Sequence, residues 1–389
     1  MKKLLTSPVK MNLNELENQH YQLALKCIAP ISLNLLAVKV EEYPESFLDW
    51  CKQLHRICQH DINFDLLEDE QFKPLKKLES VLSNTISTLQ LKMATLLPWP
   101  SFAAFIDENK ELHSFEERIA LLNHIKNIGT DDTENMIEED RLVIAGKHTA
   151  KHEPALYPFD AEWFVSTKSQ KVFIQLFNDH GPKFIAALSS IPSEGEVSKG
   201  DYDKFVAQIS EIYKTYAPEE KTTLTPVTRM LSMKRPDFFV AMNAQKMEIY
   251  SAAFNLPRIN NQSFEDYWHF VKEIVGNLAW AKSGLPEDEN EQIIWSFRAI
   301  LLDMFFFADE GQRERSNYLK LKNKPKKEKS AGAGRQKRTK ESAEQLVDRA
   351  LEDPTLPPFL MNMRDSLINS VQSGKTVDEA IQLMRSIFG

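Results

Sequence analysis

Apolar residues recur at three- and four-residue spacing along most of the chain, and this rhythm restricts the fold more than any other feature. Phe47, Trp50, Cys51, Leu54 and Cys58 fall on one face of a helix, and that face must be buried. The same pattern predicts helices in LNELENQHYQLALKCIA, KPLKKLESVLSNTISTLQLKMATLL and SFEERIALLNHIKNI, and again in SQKVFIQLFNDHG, YDKFVAQISEIYKTY and EQIIWSFRAILLDMFFF. Only 12 glycines punctuate 389 residues, so the Gly-marked turns of a doubly wound α/β fold are missing. A hydrophobic content of 42% is enough to fill a sizeable core. The expected fold is mainly α: a multi-helix, bundle-like body in two units, then a basic flexible linker and a small C-terminal helical module.

Breaks in the rhythm set the expected boundaries. Residues 1–128 read as an N-terminal helical unit. Residues 129–158 read as an irregular acidic loop with one short strand at LVIAG, because their acidic start and closing prolines interrupt the helical period. A central helical domain follows at 159–319, a linker at 320–341 and the C-terminal module at 342–389. Ser114 with Glu117, Ser342 with Gln345 and Thr376 with Glu379 each have capping-box spacing, which places three helix starts.

Charge is unevenly spread. The stretch KLKNKPKKEKSAGAGRQKRTK, residues 320–340, has a local charge of +9 in a chain whose net charge is −8, so the remainder carries −17. With Pro325 and a run of small residues, it cannot bury apolar area to offset the entropy of ordering. Its cations suit sequence-independent contact with phosphates by counterion release.

A second basic group lies in TPVTRMLSMKRPDFFVAMN, residues 225–243. Pro226 suits the first turn of a helix, Pro236 ends that helix near Arg235, and Asn243 caps the next. Lys234 and Arg235 then sit where cations favour the helix dipole. Together with Arg229 and Lys246 they form an island on an acidic body. The candidate nucleic-acid contacts are therefore Arg229, Lys234, Arg235 and Lys246, together with Lys326, Lys327, Lys329, Arg335, Lys337 and Arg338.

Catalytic signatures are scarce. No glycine lies in a phosphate-cradling loop, and GxSxG and GxGxxG are absent. Cys51, His55 and Cys58 share a helical face with His60 following, but a single helix rarely converges four ligands on zinc, so these read as core residues and no metal or cofactor is expected. His148 and His152 have HxxxH spacing without the glutamate of HExxH. The run EEDRLVIAGKH, Glu138 to His148, has the carboxylates and lysine of a divalent-metal nuclease, yet Ala145 stands where such cores place an acid. The three cysteines, Cys27, Cys51 and Cys58, are too clustered to staple the fold; this and the lack of a leader or an 18-residue apolar run point to a reducing, cytoplasmic setting.

From about Tyr157 to Phe307, the order EGEVSKGDYDKF, TPVTRMLSMKRPDFFVAMN, FEDYWHF and WSFRAILLDMFFF resembles uncharacterised helical domains encoded in bacterial restriction and anti-phage loci. The likeness is carried by RMLSMKRPDFFVAMN and by Trp295 with Arg298, and it covers less than half of the chain. It implies an antiviral defence setting with a nuclease or motor protein as partner. The expected function is a non-enzymatic, DNA-associated helical component that binds DNA or a DNA-bound partner. The alternatives are a metal-dependent nuclease around Glu138 to Lys147 and a protein scaffold without nucleic-acid affinity.

Overall fold

A computed structural model of the chain describes residues 3–4, 8–31, 39–40, 44–62, 64–129, 136–324, 342–351, 356–373 and 375–388. It is all-α, as the periodicity predicts. The helices, in chain order, are α1 (Glu15–Ile28), α2 (Phe47–Arg56), α3 (Asp69–Ala94), α4 (Trp99–Asn109), α5 (Phe115–Ile128) and α6 (Glu138–Ala145). They continue as α7 (Lys171–Leu188), α8 (Lys199–Tyr216), α9 (Leu224–Lys234), α10 (Ala244–Ala253), α11 (Phe264–His269) and α12 (Glu289–Ser296). Two short helices, α13 (Glu310–Glu314) and α14 (Asn317–Lys322), precede α15 (Ala343–Leu351), α16 (Arg364–Gln372) and α17 (Val377–Phe388). The only strands among the described residues are Lys3–Leu4 and Lys39–Val40, which pair antiparallel.

The chain divides into two compact units, residues 1–324 and 325–389. Within the first, α3 joins two cores. Leu75, Leu78, Leu82 and Ile86 pack with α1 and α2, whereas Leu91 and Ala94 belong to a larger core that extends to Phe305. The changeover thus lies inside one helix. Its middle is rich in Ser and Thr, whose buried hydroxyls donate back to carbonyls one turn earlier: Ser87 to Ser83 O at 2.7 Å and Thr88 to Asn84 O at 2.8 Å. Small polar residues can therefore be buried here without orphaned groups.

The α2 face is buried as the spacing requires, with Trp50 and Leu54 fully enclosed. Beyond Arg56 the helix widens into one π-helical turn, Ile57–Asp61, and the register shift buries both Ile57 and Cys58.

Segment 129–158 departs from expectation. LVIAG is not a strand: Leu142 to Ala145 form the second half of α6. Glu138, Glu139 and Asp140 fill the first turn, where the dipole favours acids, and Gly146 ends the helix in a left-handed conformation with φ 76°. Leu142, Val143, Ile144 and Ala145 are all buried, so no polar face reveals the helical period in the sequence. The segment also contributes to the larger core rather than separating domains.

The expected cap at Ser114 is a second correction. The helix α5 does begin there, but Ser114 is left-handed at φ 49° and makes no capping bond. Glu117 is instead turned inward. At Asn243 the expected cap forms, its side chain accepting from Lys246 N at 2.9 Å.

In the second unit Val347, Leu360, Leu367 and Ala380 make a small core of their own. Both expected capping boxes are present: Gln345 N donates to Ser342 Oγ at 3.2 Å and Thr376 N to Glu379 Oε2 at 2.8 Å. The expected flexible linker at 320–341 lies outside the described residues from 325 onward, and its start is helical instead, since Lys320 to Lys322 close α14. No helix among the described residues is long and apolar enough to cross a membrane.

Candidate functional site

The ten candidate contact residues are placed very differently. Lys326, Lys327, Lys329, Arg335, Lys337 and Arg338 lie outside the described residues. Arg229 is wholly buried. Its guanidinium donates to the carbonyls of Val143 at 2.9 Å, Ala161 at 2.9 Å and Ile144 at 3.2 Å, and to that of Trp163. Burial lowers its pKa to about 9, against the pull of Asp160 and Asp303. Its work is to tie α9 to the C-terminal end of α6 and to residues 161–163.

Arg235 is also internal. It forms a bidentate pair with Asp237 at 2.8 Å and reaches Pro192 O at 3.0 Å and Gly195 O at 2.8 Å, closing the joint after α9. Lys234 reaches outward and donates to Ser193 Oγ at 2.8 Å. Beside it lies a hollow of about 520 Å³ whose rim includes Lys126, Lys234 and Trp295. Arg298 stacks on Trp295 at 4.2 Å and donates to its carbonyl at 2.8 Å, so this pair serves as a helix-end clasp.

Lys246 leads to a site that sequence reasoning missed. It pairs with one oxygen of Asp303, and Arg118 takes the other at 2.6 Å. The three side chains are only 12%, 10% and 7% exposed, respectively. Burial alone would push the Asp303 carboxyl up, but Lys246 and Arg118 outweigh it and hold the group below the usual carboxylate range. The Arg118 guanidinium also lies 4.4 Å over the Trp163 ring and donates to His113 O at 2.7 Å.

Around this triad sits a second polar shell. Glu117 Oε1 accepts from Asp160 N at 2.8 Å, Trp163 Nε1 at 2.8 Å and Ser316 Oγ at 2.7 Å, although burial pushes its carboxyl up. Asp160 accepts from Asn317 N at 2.6 Å and Glu162 N at 2.9 Å. Burial lowers His113 to about 3, with Arg118 acting the same way. Arg118, Lys246 and Asp303, with His113, Asp160 and Ser316, line a cleft of about 390 Å³. The available signal was modest: a carboxylate inside LLDMFFF and an arginine inside EERIALL.

The remaining candidates have local roles. His55 meets Ser83 Oγ at 3.2 Å and packs edge-on against Phe307, while burial raises Cys58 to about 12 and Cys51 further, so both stay thiols at neutral pH. His152 accepts from Thr149 N at 2.9 Å through Nδ1 and donates from Nε2 to Glu139 O at 3.0 Å, which leaves no lone pair for a metal. His148 makes no hydrogen bond among the described residues and stands 3.6 Å from Asp160. The carboxylates of α6 are separately engaged, Glu138 and Glu139 by Lys151 and Asp140 by His124 and Tyr157. No three potential metal ligands come together among the described residues. No protein-family model, curated protein or solved structure matches the chain.

Proposed function

We propose that the protein is a non-enzymatic, DNA-associated helical component that contacts phosphates through its basic segment. One observation carries this reading: a +9 stretch at 320–340 in a chain of net charge −8. Lys320, Lys322 and Lys324, the part of that stretch within the described residues, are exposed. Such a charge density neutralises phosphate and releases counterions, whereas the acidic remainder repels DNA. Lys234 and Lys126, at the rim of the hollow beside the α9 joint, supply a second contact. The resemblance of residues 157–307 to domains of restriction and anti-phage loci adds a setting, defence against foreign DNA beside a nuclease or motor protein.

The test is duplex binding against salt, with Lys326, Lys327, Lys329, Arg335, Lys337 and Arg338 changed together to Gln. The expected result is weaker binding on unrelated sequences and a salt slope lowered by up to roughly 5, at about 0.9 per contact. Lys234→Ala should weaken binding further without changing the melting temperature. Wild-type protein that fails to bind duplex even at low salt would overturn the reading in favour of a protein scaffold.

A further inference from the structure

The cleft at the Arg118–Asp303–Lys246 triad continues into a larger hollow of about 750 Å³, the two sharing a wall of His113, Phe306, Phe307 and Arg315. Their chemistry differs. In the smaller lobe two cations share one carboxylate, and Arg229 stands behind them with its guanidinium hydrogen-bonded to carbonyls. The other carboxylates there are occupied: Asp160 by backbone N–H groups, and Glu162 by Ser166 at 2.9 Å and Lys168 at 3.2 Å. Nη2 of Arg118 donates to no described residue, although its Nε and Nη1 are both used. The lining carries three cations, Arg118, Lys246 and Arg315, against three carboxylates, Asp160, Glu162 and Asp303, and the open guanidinium N–H of Arg118 is the charged donor it offers to an anion.

The larger lobe is suited to a planar group. Phe307 and His55 form part of its wall, with ring centroids 4.5 Å apart, and Phe64 stands at its edge, 43% exposed. Gln90 lines it at 6% exposure, and its Oε1 has no hydrogen-bond partner among the described residues. A buried amide oxygen without a partner is costly, and rotation of that amide would present a donor and an acceptor to a ligand edge. Both volumes lie within the range that small ligands occupy, roughly 300–1,000 Å³.

We propose that this two-lobed cleft binds a nucleotide, with its phosphate against Arg118 and Lys246 and its base in the lobe of Phe307 and Gln90. An anion joined to a planar, hydrogen-bonding ring is the class that satisfies both lobes at once. The same chemistry is offered by a free mononucleotide and by one nucleotide of a single strand. The proposal does not rest on the basic segment, and the six Gln substitutions there leave it intact.

Calorimetric titration of the full chain tests it, using inorganic phosphate, ribose 5-phosphate, the four ribonucleoside monophosphates and a pentadeoxynucleotide as probes. At least one nucleotide probe should bind about tenfold or more tightly than phosphate or ribose 5-phosphate. Preference for a monophosphate assigns a free ligand, and preference for the pentanucleotide assigns a strand. Arg118→Lys keeps the charge beside Asp303 but removes the open N–H, and should weaken every phosphate-bearing probe about tenfold. Gln90→Leu should weaken the nucleotide alone; it removes an unpaired amide, so its fold and melting temperature should persist even if Arg118→Lys proves unstable. No heat with any probe at millimolar concentration, equal affinity for phosphate and nucleotides, or nucleotide binding unchanged by Gln90→Leu would each overturn the assignment.

Discussion

Arg229 donates to four backbone carbonyls, all from segments before α7, and the cavity it fills admits no solvent. Replacing it with Met keeps much of the volume but strands those carbonyls, so Arg229→Met should lose about 3–5 kcal/mol in urea unfolding. A loss under about 1 kcal/mol would mean that the carbonyls find other donors. His113 gives a pH signature. Its folded pKa is depressed to about 3, so the folded state keeps it neutral while the unfolded chain protonates it near its ordinary value. The stability it contributes is fully present above about pH 6.5 and is lost as pH falls from there toward 3. In His113→Gln the fall in stability across that window should be shallower; an unchanged profile, measured by urea melts at several pH values, would assign the acid sensitivity to other groups.

At the scale of elements, the end of α6 is the tightest joint. Gly146 has φ 76°, and a Cβ there would come within 2.6 Å of Val165 O and 3.0 Å of Arg229 Nε. Gly195 has the same φ with open space around it. Ala at either position adopts an unfavourable left-handed conformation, at about 1–2 kcal/mol. Only Gly146→Ala adds a backbone collision, so it should lose about 1–3 kcal/mol more than Gly195→Ala in matched denaturation curves. Equal losses would show that α6 and the segment at Val165 part easily. This region is also where reading the pattern failed: LVIAG has the composition of a strand, and it is helical because capping at Gly146 and burial on every side override β propensity.

At the scale of the molecule, the two units have separate cores. Calorimetry should therefore resolve two transitions. Leu367, fully buried in the smaller core, is the probe: Leu367→Ala should cost that unit about 2–5 kcal/mol and leave the transition of residues 1–324 in place. A single transition that shifts as a whole would mean that the units unfold together.

Helix identity was legible in the chain because it rests on local spacing: the buried face of α2, the boxes at Ser342 and Thr376 and the cap at Asn243 all follow from residues within a turn or two. The polar cleft was not. Arg118 and Asp303 stand 185 residues apart, and Glu117, read as a cap, is bonded instead to groups 43 and 199 residues away. Nothing local distinguishes a glutamate that caps its own helix from one that turns into a core. The basic island came apart for the same reason: Arg229, Lys234, Arg235 and Lys246 are neighbours in the chain, but only the tertiary packing decided that Arg229 would face carbonyls, Lys246 a buried carboxylate and Lys234 the surface. Local periodicity determines which segments coil, since each turn satisfies its own backbone; where a charge ends up depends on which distant groups can offset its desolvation.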